Sequence, residues 1–145
     1  YVALAKDHPQ AAKDAVRLRD LRDEGWIQAV QAGPTGITYR ACLAAGFEPR
    51  IVHLSDHAPI TQGLVAAGLG VTLLSSLSVP QAHEDIAIRP LKPAGPQRDV
   101  FAVSLPGALQ PPAITAMVEI LRELAPRYES ARKSAAVRPS SVAAS

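Results

Sequence analysis

Short apolar stretches alternate with helix-like stretches along most of the chain, and no other feature of the sequence constrains the fold as strongly. The apolar stretches that predict strands cover residues 1–5, 26–30, 51–54, 71–74, 86–89 and 100–105. Helical spacing of apolar residues predicts helices over 36–46, 58–67 and 112–128. Strands that alternate with helices are typical of a mostly parallel sheet with helices on both faces. We therefore expect an α/β fold.

The length, composition and charge of the chain limit the number of domains and the kind of partner that it can bind. With 145 residues, 48% of them hydrophobic, the chain can bury the core of one ordinary domain. The residues up to Glu129 include 12 basic and 13 acidic side chains, a net charge of −1. Because sequence-independent binding to nucleic acids needs clustered Lys and Arg, we expect this part of the chain not to bind DNA itself.

Cysteine content and hydropathy indicate the compartment. Cys42 is the only cysteine, so an intrachain disulfide is impossible. The longest apolar run, 64–74, falls well short of the roughly 20 residues of a membrane helix, and no signal-peptide pattern precedes it. We therefore expect a cytoplasmic protein with no membrane partner. Met117 is the only methionine and the chain opens within a predicted strand, which predicts a trimmed chain or fragment.

Two glycines, Gly68 and Gly70, lie between the helix over 58–67 and the strand over 71–74. A glycine loop that binds phosphate follows a strand and precedes a helix, where the backbone amides and the positive helix end are available. Gly68 and Gly70 stand in the opposite order. We therefore expect Gly68 to end the helix in a left-handed conformation and Gly70 to turn the chain into the strand.

Two polar loops are the candidate ligand-binding sites, because ligands of open α/β sheets bind beyond the carboxyl ends of the strands. The predicted contacts are Gln31, Ala32, Gly33, Pro34 and Thr35 in one loop and Ser55, Asp56 and His57 in the other. Each loop precedes a helix, whose positive end favours a carboxylate or another anion. The alternative is that Thr35, and either Ser55 or Asp56, only cap these helices.

For the residues that could serve catalysis, metal binding or redox sensing, the pattern favours structural roles. Ser55, Asp56 and His57 are adjacent, and adjacent residues do not easily form a catalytic relay, so we predict no catalytic residue. His53 and His57 lack a third ligand nearby, and we predict no metal ion and no cofactor. Cys42 is either a redox sensor or a packed small hydrophobe, and we favour packing because no second cysteine could resolve an oxidised thiol. Trp26 is expected to fill the core, with a partner for its indole N–H.

The helical patterns also predict which faces are buried. Ile60, Leu64 and Ala67 fall on one face of the helix over 58–67. Apolar residues at intervals of three and four, from Ile114 to Tyr128, make the helix over 112–128 amphipathic. Beyond that helix, 129–145 is rich in Ala, Ser, Arg and Pro without periodicity, and we predict a disordered tail.

Several motifs resemble one protein family. The stretches YVALAKDHPQA, LRDLRDEGWI, LVAAGLGVTLL, IAIRPL and VFAVSL are similar to the effector-binding domain of LysR-type transcriptional regulators. The resemblance covers residues 1 to about 128, and its most specific element is the helix, glycine corner and strand over 64–74. Ser75 departs from the family, which commonly has proline at that point, and this change is expected to loosen the following turn.

The resemblance implies a periplasmic-binding-protein-like (type 2) architecture of two α/β lobes joined by crossing strands. It places the first crossing at 1–5, the second lobe at 6–99, and the return strand and C-terminal helix of an incomplete first lobe at 100–128. A small, anionic effector would bind in the cleft between the lobes. DNA would be read by a winged helix-turn-helix that this chain lacks, in a full-length homodimer or homotetramer.

Two other functions remain open. A transport-type solute-binding protein has the same architecture, and a signal sequence or lipid-anchor cysteine upstream would support that reading. An enzyme could also be built on this fold, since fold alone does not decide function. Thr35, Ser55 and Asp56 form no convincing catalytic set, so a ligand-sensing regulator is the favoured hypothesis.

Overall fold

The computed structural model describes the backbone of residues 1–103 and 111–135. The strands are β1 (Val2–Ala5), β2 (Gly25–Gln28), β3 (Arg50–Leu54), β4 (Thr72–Leu73) and β5 (Ile86–Arg89). The α-helices are α1 (Ile37–Ala44), α2 (Ala58–Ala66) and α3 (Pro112–Ala135), and short 3-10 helices cover Pro9–Ala12, Leu18–Leu21, Gly33–Thr35 and Ser76–Gln81. The chain forms two compact units, Tyr1–Pro96 and Gln97–Ser145.

The strands of the first unit run mostly in one direction. β2 pairs with β3 in parallel, and a parallel bridge joins Trp26 of β2 to Val71, the residue before β4. β1 lies between β4 and β5 and is antiparallel to both. The α/β fold is confirmed, and β1 is the one strand of this unit that opposes the predicted common direction.

The core lies on both faces of the strands. Val2 and Leu4 of β1 belong to one buried cluster, and Ala3 between them belongs to another. This alternation follows from the two-residue repeat of a strand. Trp26 is fully buried and its ring lies 6.3 Å from that of Phe47, as expected for a core residue. The expected partner is missing, since the buried Trp26 Nε1 has no hydrogen-bond acceptor in the described part of the chain.

The two glycines form a corner, as predicted. α2 ends at Ala66, and the amides of Gly68 and Leu69 donate to the carbonyls of Val65 and Leu64, each at 3.0 Å. This pair of bonds is the Schellman arrangement, which needs a left-handed residue after the helix. Gly68 supplies it with a φ of +72°, and Gly70, two residues before β4 begins, has a φ of +156°.

Of the three residues on the predicted buried face of α2, only Leu64 packs against the core, where it is partly buried. Ile60 is 56% exposed and Ala67 is also exposed, whereas Gln62 and Val65 are buried. The helix carries apolar residues on more than one face, so periodicity alone does not select the face that packs against the strands. Contacts with β1 and β5 select Val65 instead.

Two expectations about the second unit also differ from the structure. Residues 100–103 of the predicted return strand have no regular secondary structure and are exposed, and 104–105 lie outside the described residues. A strand needs a neighbour to bond its backbone, and no described strand pairs with this segment. The helix α3 continues to Ala135, so 129–135 is helical rather than disordered, because Ala, Glu, Arg and Lys favour a helix without apolar periodicity. The rest of the predicted tail, 136–145, lies outside the described residues.

Candidate functional site

A cavity of about 290 Å³ lies at the carboxyl ends of β2, β3 and β4. Gln28 and Ala29 reach it from the end of β2, Ser55 and Asp56 from the end of β3, and Thr72 to Ser75 from β4 and the residues after it. This is the edge at which α/β sheets place their ligands. All lining residues belong to the first unit.

The lining is rich in groups that form hydrogen bonds. Its hydroxyl side chains are Thr38, Ser55, Thr61, Thr72, Ser75 and Ser78, and Gln28 and Gln62 contribute amides. Asp56 is the one charged residue among the lining residues. Such a surface suits a small polar molecule better than an extended apolar one.

Internal hydrogen bonds hold several of these side chains. Thr72 Oγ1 donates to the carbonyl of Ile27 at 2.8 Å, and Gln62 Oε1 accepts from the backbone N–H of His83 at 2.5 Å. Asp56 Oδ1 accepts from the backbone N–H of Val30 at 2.9 Å, which joins the loop after β3 to the loop after β2. The polar wall is therefore fixed by the fold before any ligand binds.

Two helices begin at the cavity. Ile37 and Thr38 of the first turn of α1 line it, as do Ala58 and Thr61 of the first turn of α2. Neither helix has a side-chain cap: Gly36 precedes α1, and the side chain of His57 does not bond the first turn of α2. The free N–H groups of a helix start carry partial positive charge and attract anions.

The capping alternative is therefore wrong. The Thr35 hydroxyl donates to the carbonyl of Ala32 at 3.1 Å within the 3-10 helix Gly33–Thr35. The Ser55 hydroxyl bonds the backbone N–H and carbonyl of His57, both at 3.3 Å, and Asp56 bonds Val30. These bonds form within or between the two loops and leave both helix starts uncapped.

The structure brings together part of the predicted ligand set. Ala32, Ser55 and Asp56 line the cavity, whereas Gln31, Gly33, Pro34, Thr35 and His57 are not among the lining residues. Sequence reasoning missed Gln28, Thr38, Thr61, Gln62 and Thr72. A signal existed for Gln28 and Thr72, because each is a polar residue inside a predicted apolar strand. Contact of the eight predicted residues with a ligand stays a prediction.

A second, larger cavity of about 670 Å³ lies elsewhere in the first unit. It is bordered by Leu18 and its two arginine neighbours, by Ala41 and Ala44 of the second half of α1 with Ala45 directly after it, and by the segment 92–96. It therefore involves the chain before β2 and the C-terminal half of α1, not the loops that follow β2 and β3. It shares no lining residue with the smaller cavity.

Cys42 and Tyr39 of α1 have altered pKa values. Burial raises the pKa of the Cys42 thiol to about 12, which removes the reactive thiolate that a redox sensor needs. The favoured role of Cys42 as a packed hydrophobe is confirmed by its complete burial in the core. A hydrogen bond from the Tyr39 hydroxyl to Glu48 raises the pKa of Tyr39.

In residues 1–103 and 111–135, no three acidic, His or Cys side chains are grouped to hold a metal ion.

The model of the LysR substrate binding domain family matches residues 1–126. The chain belongs to this family. Among curated relatives of the LysR substrate-binding domain, the HTH-type transcriptional regulator AlsR of Bacillus subtilis is 36% identical over 91 residues. That match covers 61% of this chain and 30% of AlsR. The chain thus spans about a third of the length of the curated relatives it matches.

Solved structures of LysR-family domains share the fold. The C-terminal domain of a probable LysR family transcriptional regulator from Rhodococcus sp. RHA1 matches with a TM-score of 0.55 and 27% identity, over 66% of this chain and 49% of that one. The BenM effector binding domain with its effector benzoate matches with a TM-score of 0.52 and 28% identity, over 63% of this chain and 43% of that one. The periplasmic-binding-protein-like fold inferred from the LysR resemblance is thus confirmed.

A helix that crosses a membrane needs about 20 consecutive apolar residues. None of the helices in 1–103 and 111–135 is long and apolar enough to span one.

Proposed function

We propose that this chain is the effector-sensing part of a LysR-type transcription regulator and that the polar cavity binds a small carboxylate. The observation that carries the proposal is the meeting of two uncapped helix starts at one polar cavity, at the carboxyl ends of three strands. Membership of the LysR substrate-binding domain family supports the same function.

The cavity selects the class of ligand. Free N–H groups of α1 and α2 stabilise negative charge, while the lining offers no Lys or Arg that could pair with a highly charged anion. A volume of about 290 Å³ admits a small organic acid. We propose Ala32, Ser55 and Asp56 as direct contacts, with Gln31, Gly33, Pro34, Thr35 and His57 as the surrounding loops. Asp56 would contact an uncharged part of the acid, because its own carboxylate repels that of the ligand.

The proposed whole protein extends beyond this chain. In it, 1–5 and 100–105 cross between two lobes, 6–99 forms the second lobe, and a winged helix-turn-helix binds DNA. The protein works as a cytoplasmic homodimer or homotetramer and is not an enzyme. Effector binding controls DNA binding only if the effector has different affinities for the two lobe arrangements. The regulator names of the curated relatives favour this function over a solute-binding protein or an enzyme.

The test is a thermal-shift screen of small organic acids against the full-length protein. A ligand at a hundred times its Kd adds about 2.7 kcal/mol to the free energy of unfolding, so a true effector raises the Tm measurably. The Kd of the best acid is then measured by calorimetry. We expect Ala29→Phe, which fills the cavity mouth, to weaken binding by about tenfold or more.

Ala67→Phe is the matched control, since Ala67 is exposed and does not line the cavity. It is expected to leave the Kd unchanged. If no acid raises the Tm, or if Ala29→Phe binds the best acid as tightly as the wild type, the cavity is not the effector site.

A further inference from the structure

We infer that the effector carries a single negative charge, and that the carboxylate of Asp56 excludes dicarboxylic acids from the polar cavity. This inference rests on the proposed function, because it concerns the same ligand in the same cavity. It adds a specificity-determining residue to the two helix starts, which attract a carboxylate but do not limit the ligand to one charge.

Asp56 is an isolated charge at the cavity. It is the one charged residue of the lining, which contains no Lys, Arg or His. The ion pairs of the first unit all use other acidic residues, namely Asp20, Glu24 and Asp85. No cation of the first unit therefore neutralises the carboxylate of Asp56.

A hydrogen bond to the backbone holds this charge beside the cavity. Asp56 Oδ1 accepts from the N–H of Val30 at 2.9 Å, which ties the loop after β3 to the loop after β2. Asp56 itself lines the cavity, as does Ser55 directly before it. Repulsion between like charges acts through space, so it needs no direct contact between the Asp56 oxygens and the ligand.

The cavity is too small to keep a second carboxylate away from Asp56. A volume of about 290 Å³ corresponds to a sphere roughly 8 Å across, which is about the Debye length at physiological ionic strength. The positive ends of α1 and α2 offset the repulsion for one carboxylate. The lining offers no Lys or Arg that could offset it for a second, whereas an uncharged end of the ligand is not repelled.

The experiment compares acids of matched shape that differ in charge. Calorimetry with the full-length protein measures the Kd of succinate against succinamate, and of terephthalate against 4-carbamoylbenzoate and 4-nitrobenzoate. The nitro group is flat like a carboxylate but has no charge and no hydrogen to donate, so it separates charge from hydrogen bonding. We expect each neutral-ended acid that binds to do so about fivefold or more tightly than its diacid, as repulsion across a partly solvated cavity requires.

Asp56→Asn tests whether Asp56 causes that preference. Asparagine keeps a side-chain oxygen that can accept from the N–H of Val30, so the variant removes the charge and retains the bond between the loops. We expect the preference to fall below about twofold, because the diacids bind more tightly. Asp14→Asn is the matched control, since Asp14 is exposed and lines neither cavity, and it should keep the preference.

The salt dependence of the wild type is a second measurement that needs no variant. Circular dichroism and the Tm verify the folding of both variants, and the salt series decides if Asp56→Asn does not fold. At about 1 M salt the Debye length falls to about 3 Å, so the preference should shrink towards equality. A preference that is unchanged at that salt concentration is not electrostatic and overturns the inference.

The outcomes separate this inference from the proposed function. If no acid of this set or of the thermal-shift screen binds, the proposed function is wrong and the inference falls with it. If the screen finds a ligand but the members of every pair are equal, whether both bind or both fail, only the inference is wrong. An Asp56→Asn variant that keeps the full preference overturns the role of Asp56.

Discussion

Cys42 shows how position sets the chemistry of a single residue. The thiol is fully buried in α1, in the same cluster as Trp26 and Leu4. Burial disfavours the charged thiolate, and this raises the pKa to about 12. At neutral pH the side chain is therefore a neutral, small hydrophobe, although a single cysteine in the sequence is equally compatible with a reactive thiol.

We predict that Cys42 reacts with a thiol reagent at pH 8 only when the protein unfolds, and that its burial makes stability fall at high pH. In the unfolded chain the thiol loses its proton near pH 8.5, whereas in the folded protein it keeps the proton up to about pH 12. Between these values the unfolded state binds fewer protons, so the free energy of unfolding decreases as pH rises, by at most about 1.4 kcal/mol per pH unit.

The measurement is chemical denaturation of the wild type and of Cys42→Ala from pH 8 to 10.5. Cys42→Ala is less stable than the wild type at pH 8. As the pH rises, however, its free energy of unfolding should decline less steeply than that of the wild type. Tyr39 titrates in both proteins, so its contribution cancels in the difference. Equal slopes, or rapid labelling of the native thiol, would show that Cys42 is accessible.

At the scale of elements, the corner between α2 and β4 connects the core to the site. The backbone N–H of Val71 donates to the carbonyl of Gly25 at 2.8 Å, which holds the corner against the start of β2. A Cβ atom on Gly70 would lie 2.8 Å from that same carbonyl oxygen, and the φ of +156° already disfavours any other residue. The corner thus fixes where β4 begins, and with it the position of Thr72 beside the cavity.

We predict opposite effects for alanine at two glycines of this region. Gly70→Ala combines a clash with backbone strain and should lower the free energy of unfolding by about 1–3 kcal/mol or more. Gly63→Ala, inside α2, meets no atom within 4 Å and should raise it by about 0.5–1 kcal/mol, because alanine is the better helix former. Urea denaturation of both variants measures the two changes. A stable Gly70→Ala protein would contradict the tight corner.

At the scale of the whole molecule, the two units differ in how they bury apolar side chains. The first unit contains the fully buried Val2, Leu4, Trp26 and Val65. In the second unit, Phe101 is 79% exposed and Val103 is 92% exposed, and α3 leaves Met117 56% exposed. The proposed two-lobe organisation explains this contrast, since the apolar face of α3 would then pack against first-lobe residues outside this chain.

We predict that chymotrypsin first cleaves the purified chain after Phe101. This residue is exposed in a segment without regular structure, whereas Trp26 is fully buried in β2 and Phe47 is partly buried against the core. Intact-mass spectrometry at early times should show a stable fragment that ends at Phe101. Early fragments that begin after Trp26 or Phe47 would contradict the compactness of the first unit.

Much of the fold was predictable because it depends on local patterns. Apolar runs of four or five residues, helical spacing and the order of Gly68 and Gly70 identify strands, helices and the corner without tertiary information. The loops after β2 and β3 were also predictable, since ligands of parallel strands bind at the carboxyl ends. Ser55 and Asp56 were found by that rule.

Other features depended on contacts between distant residues. The buried face of α2 was mispredicted because several of its faces are apolar, and only contact with β1 and β5 selects Val65. Gln28 and Thr72 were overlooked because a polar residue within an apolar strand is ambiguous until its neighbours are known. The segment 100–103 has a strand-like sequence, but a strand forms only beside a partner.

The sequence by itself determined the α/β class, the family resemblance and the helix-ending glycines, because these follow from residue order and backbone preference. Only the tertiary structure decided which polar atoms share one cavity and which of them lack a partner. Hydrogen bonding of a buried group depends on residues far away in the sequence. Thr72 bonds Ile27, 45 residues before it, and Gln62 bonds His83, 21 residues after it. For the same reason, only the folded molecule shows that no Lys or Arg accompanies Asp56 in the lining of the cavity.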